Sequence, residues 1–281
     1  QLPLPRTDHS DGDLSPEGRR AVYTRNDGLW IYDLDLGTHR ELPLATRGHH
    51  NPVWSSDGRH VVFSAHTAED TRAAIWVIAD SAGAAARRVG GLPTVSAYPA
   101  QWLDDGTILF VTMLPNLDVY RIPADGAAEP TLVLGADWNE TWPRVSPDGR
   151  WLAYVSGEDG TEAVYVRQWQ SITGKVRVSE RVSFDSYPVW SLDSRTLYCY
   201  ALGEFLAADV DGRGESSRVT DTRVIHRGAP GYTRKMHPDG RRLFGFVLSL
   251  DDTSASLVAP RLIVVTNWQR VLEERLGIAR R

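Results

Sequence analysis

Apolar residues along this chain come in short runs, each set just after a small polar turn. The runs are Ala21-Val-Tyr23, Val61-Val-Phe63, Leu109-Phe-Val111, Leu152-Ala-Tyr154, Leu197-Tyr-Cys199 and Leu243-Phe-Gly245. Neighbouring strand residues point to opposite sides, so apolar residues on successive positions predict strands buried on both faces. A second strand is predicted after each run, at Leu29–Tyr32, Ile75–Val77, Asp118–Tyr120, Ala163–Val166, Phe205–Ala207 and Leu262–Val265. Gly37, Asp125-Gly126 and Asp211-Gly212 then mark hairpin turns to a further strand.

The turns repeat. Leu14-Ser-Pro-Glu-Gly-Arg19, Trp54-Ser-Ser-Asp-Gly-Arg59 and Trp102-Leu-Asp-Asp-Gly-Thr107 are followed by Val145-Ser-Pro-Asp-Gly-Arg150, Trp190-Ser-Leu-Asp-Ser-Arg195 and Met236-His-Pro-Asp-Gly-Arg241. The shared position is Gly18, Gly58, Gly106, Gly149, Ser194 and Gly240, in steps of 40, 48, 43, 45 and 46 residues. Six copies at this period predict an all-β, six-bladed β-propeller, with blades near 13–44, 51–90, 98–135, 141–179, 186–220 and 230–268. Ser-Pro-Asp-Gly suits a type I turn closed by a left-handed glycine, and Ser194 should be a slightly strained version of it. The turn acids Asp57, Asp105, Asp148, Asp193 and Asp239 read as acceptors of local backbone N–H groups rather than as metal ligands, and Glu17 takes their place in the first copy.

Gln1-Leu-Pro-Leu4 matches Glu41-Leu-Pro-Leu44, each 17 residues before its shared glycine. Residues 1–4 are therefore expected to supply the outer strand of the last blade and close the ring. Thr266-Asn-Trp-Gln269 reads as a capping box, and Trp268, Leu272 and Leu276 recur at helical spacing, which predicts a short C-terminal helix over 268–277.

The 281 residues are 42% hydrophobic and 24% charged, ordinary for a globular domain. The net charge of −5 argues against general affinity for nucleic acid or an anionic membrane surface. No apolar run is long enough to insert directly into a bilayer. A single cysteine, Cys199, excludes an internal disulfide and reads as a core residue. The chain begins with Gln and reads as a processed protein or part of a longer one.

Chemical motifs are sparse. His49-His50 could ligate a metal, but adjacent strand residues diverge and no Cys or acidic cluster completes a site, so neither metal nor cofactor is expected. No Gly-x-Ser-x-Gly elbow is present, so a serine hydrolase has no support. The remaining candidates lie seven and eight places before the shared position, where a propeller would present them at its channel mouth. They are His50, Tyr98, Trp142, Tyr187 and Tyr232, flanked by Glu140, Asp185 and Arg234. Such a rim suits an unidentified peptide, protein or small polar ligand. Trp142 and Tyr187 could equally pack under neighbouring loops.

Tyr187-Pro-Val-Trp-Ser191 and Val145-Ser-Pro-Asp-Gly-Arg-Trp-Leu-Ala-Tyr-Val-Ser156 resemble the repeats of TolB-like six-bladed propellers, over essentially the whole chain. The order Glu140–Ser156, Glu162–Arg167, Tyr187–Trp190, Met236–Arg242 and Ile263–Trp268 is similar to the C-terminal propeller of many bacterial serine/threonine protein kinases. In those kinases a membrane-spanning segment commonly precedes the propeller. The resemblance implies a non-catalytic sensor or interaction module, often extracytoplasmic. The chain itself has no Gly-rich phosphate loop, His-Arg-Asp loop or Asp-Phe-Gly. Two alternatives stay open: a propeller lyase or hydrolase with a channel metal, and a stand-alone TolB-like envelope scaffold that binds a protein partner.

Overall fold

A computed structural model describes residues 11–265 apart from 91–94, 114, 172, 181, 183–185, 214–215, 228–230, 238–239, 241–242 and 248–260. The described residues form six antiparallel sheets in chain order. The first holds β1 (Gly12–Leu14), β2 (Arg20–Arg25), β3 (Gly28–Asp33) and β4 (Thr38–Glu41). The second holds β5 (Arg47–Trp54), β6 (His60–His66), β7 (Ala74–Ala79) and β8 (Arg87–Gly90). The third holds β9 (Ser96–Trp102), β10 (Thr107–Met113), β11 (Val119–Pro123) and β12 (Thr131–Leu134). The fourth holds β13 (Glu140–Val145), β14 (Trp151–Ser156), β15 (Ala163–Gln168) and β16 (Val176–Arg177). The fifth holds β17 (Val189–Trp190), β18 (Thr196–Ala201), β19 (Glu204–Arg213) and β20 (Ser216–Arg227). The sixth has three strands, β21 (Gly231–Met236), β22 (Leu243–Val247) and β23 (Arg261–Val265).

The turns form as their sequence dictates. At all six shared positions the N–H donates to the carbonyl three residues back, from Gly18 to Ser15 through Gly240 to His237. All six residues are left-handed, with φ between 60° at Ser194 and 82° at Gly106. Ser194 thus holds, with a Cβ, a conformation that its five counterparts reach as glycine. The acids act locally: Asp57, Asp105, Asp148 and Asp193 each accept the N–H two residues on, at 2.9–3.1 Å. The Ser55 hydroxyl, then the Arg59 N–H, hold the Asp57 carboxyl below the usual carboxylate range, and Ser191 does the same for Asp193.

The doubly apolar runs are buried from both sides. Val61 and Phe63 join a core with Val22, Ile31 and Trp54 of the first two sheets. Val62, between them, joins a separate core with Ala97, Ile108 and Phe110 of the third. In the fifth sheet Tyr198 and Ala207 pack with Met236 of the sixth. Cys199 on β18 is fully buried, and burial pushes its thiol up to about 12, which keeps it an inert core group.

The expected closed six-bladed propeller is overturned. Among the described residues each sheet pairs only within itself, no strand pairing joins the sheets into a closed ring, and the sixth sheet has three strands. Residues 1–4 and the proposed helix 268–277 lie outside the described residues. The motif used to infer closure also has a different meaning. The outer strand of the first sheet is Thr38–Glu41, and it ends as Leu42-Pro43-Leu44 begins. Pro43 has no N–H for a ladder, so Leu42–Leu44 leaves the first sheet rather than forming its outer strand. Two compact units result. Of the described residues, one holds 11–143 and Ser156–Gly160; the other holds Arg144–Val155 and those from Thr161 on.

Candidate functional site

The first strand of several sheets carries an irregularity at a fixed place. In β5, His50 pairs with Ser64 and Val53 with Val62, so Asn51 and Pro52 together oppose Phe63. In β9, Gln101 pairs with Leu109 and Pro99 with Phe110, which leaves Ala100 extra. In β21, Thr233 pairs with Gly245 and Lys235 with Phe244, which leaves Arg234 extra. Pro52, Ala100 and Arg234 all stand six residues before their shared turn position. A recurrent bulge there bends the strand and re-aims the side chains beside it. Asn51 and Trp142, both seven before the turn, have φ of 48° and 52°. For non-glycine residues this is an uncommon conformation that clusters at functional sites.

Just before the bulge in β5 the two adjacent histidines point to opposite sides. His49 turns inward and is 5% exposed, its Nε2 3.0 Å from the Thr46 hydroxyl and its Nδ1 against the Asp27 carbonyl. Burial holds its pKa below the ordinary histidine value. His50 turns outward, with Nδ1 3.7 Å from the Asp11 carboxylate. The nearby Asp11 carboxylate outweighs desolvation and raises its pKa, which favours the protonated ring. Asp11 is held in turn by Thr24, whose hydroxyl receives the Asp11 N–H at 3.2 Å. The half-buried Tyr98 ring of β9 lies 6.3 Å from the His50 ring. His50, Asp11 and Tyr98 therefore form one cluster: an imidazole between a carboxylate and a phenol ring.

On β13, Glu140 is buried, its N–H donating to Leu117 O at 2.6 Å, and Trp142 is half-buried. The Thr141 hydroxyl between them is 2% exposed and has no hydrogen-bond partner among the described residues. In the second unit Tyr187 is 5% exposed, so its ring packs inside. Tyr232 and Arg234 lie on β21, where the backbone is described. Asp185 lies outside the described residues. Asp11 was not among the residues singled out from sequence. Its signal was available, since it occupies in the first repeat the place that Asn51 occupies in the second. Among the described residues no group of three or more His, Cys, Asp or Glu side chains is arranged to hold a metal, and no helix is long and apolar enough to cross a membrane.

No protein-family model matches the chain, and no curated protein matches it. Solved structures do. A protein assigned as TolB from Agrobacterium tumefaciens superposes with TM-score 0.64 at 16% identity, covering 83% of this chain and 87% of the other. TolB from Acinetobacter baumannii gives 0.60 at 16%, covering 81% and 57%. An oligogalacturonate lyase from Vibrio parahaemolyticus gives 0.62 at 13%, covering 95% and 79%. The class is thus an all-β protein of small antiparallel sheets with distant structural similarity to TolB. At these identities the likeness is one of fold, and the same fold hosts a lyase and TolB alike.

Proposed function

We propose that this protein is a binding module rather than a catalyst, and that it captures a peptide, a protein segment or a small polar ligand on the bulged first strands of its first unit. The observation that supports this reading is the outward His50, 3.7 Å from the Asp11 carboxylate that raises its pKa and beside the Tyr98 ring at the repeated bulge. An imidazolium flanked by an aromatic ring suits a carboxylate or another hydrogen-bond acceptor carried on an extended chain. Glu140 and Trp142 mark a second candidate position in the same unit. Tyr187, Tyr232, Arg234 and Asp185 remain candidate positions of the other unit. The metal-dependent lyase reading is less favoured, because His49 is engaged inside the core and His50 is engaged by Asp11. Attachment to a kinase and an extracytoplasmic location rest on the resemblance of the repeats.

A screen of short acidic, neutral and basic peptides by thermal shift tests the reading. Acidic peptides should stabilise the protein, and His50→Ala should cut their affinity about tenfold, the usual effect of losing one charge-assisted contact. Stabilisation by acidic peptides that survives both His50→Ala and Tyr98→Ala would show that the site lies elsewhere.

A further inference from the structure

The outer strands of the first four sheets are short: four residues in β4, β8 and β12, and two in β16. The outer strand of the fifth, β20, has twelve. It pairs with β19 on one side and forms the end of its sheet. Proteins usually keep such edges short, because the outward N–H and C=O groups are a template for another strand. From Thr220 to Val224 every residue of β20 is exposed. Two bulges, at Thr220 and Ile225, flank a regular stretch in which Asp221, Thr222, Arg223 and Val224 pair with Asp209, Ala208, Ala207 and Leu206.

Charge selects the occupant of this edge. Asp221 and Arg223 lie on one face, two residues apart, with side chains 61% and 47% exposed. A foreign strand would match this face only if it carried an acid and a base two residues apart in the same order. A second copy of β20 carries that pair. Two identical antiparallel strands related by a two-fold axis must place some residue opposite itself, because neighbouring pairs alternate between hydrogen-bonded and non-bonded types. Centring on Asp221 opposes two acids, and centring on Arg223 opposes two guanidinium groups. Centring on Thr222 sets Asp221 against the partner's Arg223 and Arg223 against the partner's Asp221, with Thr220 against the partner's Val224. Within the chain Arg223 Nη1 donates to Asp209 at 2.7 Å and, more weakly, to Asp221 at 3.4 Å; the other N–H groups of its planar fork remain for the partner's Asp221.

We propose that β20 pairs edge to edge with β20 of a second copy of this chain, in the register that places Thr222 on the two-fold axis. The fifth sheets of the two copies then form one continuous eight-stranded sheet. A contact of a few residues is smaller than a standard interface, so the dimer is weak, with dissociation on the order of tens of micromolar.

Sedimentation equilibrium of the whole chain tests this. Dimer should appear as concentration rises through that range; a monomer persisting to about 1 mM would overturn the proposal. Asp221→Arg turns both symmetry-related pairs repulsive and should weaken the dimer roughly 30-fold. Arg223→Asp should do the same, yet an equimolar mixture of the two variants should dimerise, since each then supplies the charge the other lacks. A mixture that stays monomeric, with both variants folded by circular dichroism, would overturn the register. Should Arg223→Asp fail to fold, Thr222→Lys decides instead. It replaces an exposed residue and sets two ammonium groups face to face on the axis, so dimerisation unaffected by it would overturn the register as well.

Discussion

The first strand of each sheet has two ends, and they are built on opposite plans. At the turn end, six copies close with the same hydrogen bond and the same left-handed residue. At the bulge end, an extra residue recurs at a fixed place in β5, β9 and β21, but the pair of side chains just before it differs from copy to copy: His50 and Asn51, Tyr98 and Pro99, Tyr232 and Thr233. Backbone geometry is repeated at both ends, whereas side-chain chemistry is repeated only at the turn. A turn needs one arrangement of donors and acceptors, so its residues are fixed by folding. A bulge needs only an extra residue, so the side chains it displays are free to serve recognition.

The comparison is tested most severely across the β5 bulge itself. Phe63 faces Asn51 and Pro52 from inside and is fully buried. Phe63→Ala should cost about 3–5 kcal/mol in chemical denaturation, the range for truncating a buried aromatic. His50→Ala, on the outer side of the same bulge, should change stability by no more than about 0.5 kcal/mol. A large cost at His50 would make it a structural residue and remove the division between an inner packing side and an outer binding side.

The turns give a smaller and cleaner effect. A Cβ added at Gly106 would meet nothing within 4 Å, so Gly106→Ala isolates the cost of a side chain at φ 82°. It should destabilise by about 1–2 kcal/mol. Ser194 carries that cost already, and its hydroxyl accepts the Asp148 N–H at 3.0 Å, linking one turn to the next. Ser194→Gly relieves the backbone and removes the bond, so the two effects should nearly cancel. Ser194→Ala keeps the strain and loses the bond, and should cost about 1 kcal/mol. Equal melting temperatures for the Gly and Ala variants would show that strain at this position is negligible.

These turns were legible because Ser-Pro-Asp-Gly specifies its own backbone, and the strands because two-sided burial leaves an unbroken apolar run. The bulges were not read from the sequence: Pro52 and Pro99 stand at those of β5 and β9, each denying the ladder a donor, but the β21 bulge at Arg234 has no proline to mark it. Closure was not legible, because Glu41-Leu-Pro-Leu44 resembles a strand while Pro43 ends one. The exposure of each candidate was not legible either. Tyr187 and Tyr98 occupy neighbouring places in the repeat, yet one ring is buried and the other half-exposed. That difference is set by the packing of other strands, which no local pattern encodes.

The smallest expected effect comes from the adjacent histidines, whose linkage to pH should have opposite signs. Burial depresses the pKa of His49 in the folded state, so folding is favoured by its neutral form. Its contribution is whole above the unfolded value, near 6.5, and is lost as pH falls through the depressed folded value. Asp11 raises the pKa of His50, so its contribution is whole below the unfolded value and is lost as pH rises through the raised one. Denaturation midpoints measured across this range should therefore fall on both sides of about pH 6.5. His49→Gln should flatten the acid limb and Asp11→Asn the alkaline limb, each leaving the other in place. Histidine proton resonances give the same answer residue by residue: in Asp11→Asn the His50 midpoint should move down while that of His49 stays. Joint movement of the two would mean that the bulge does not separate an inner histidine from an outer one, and the binding reading would lose its cation.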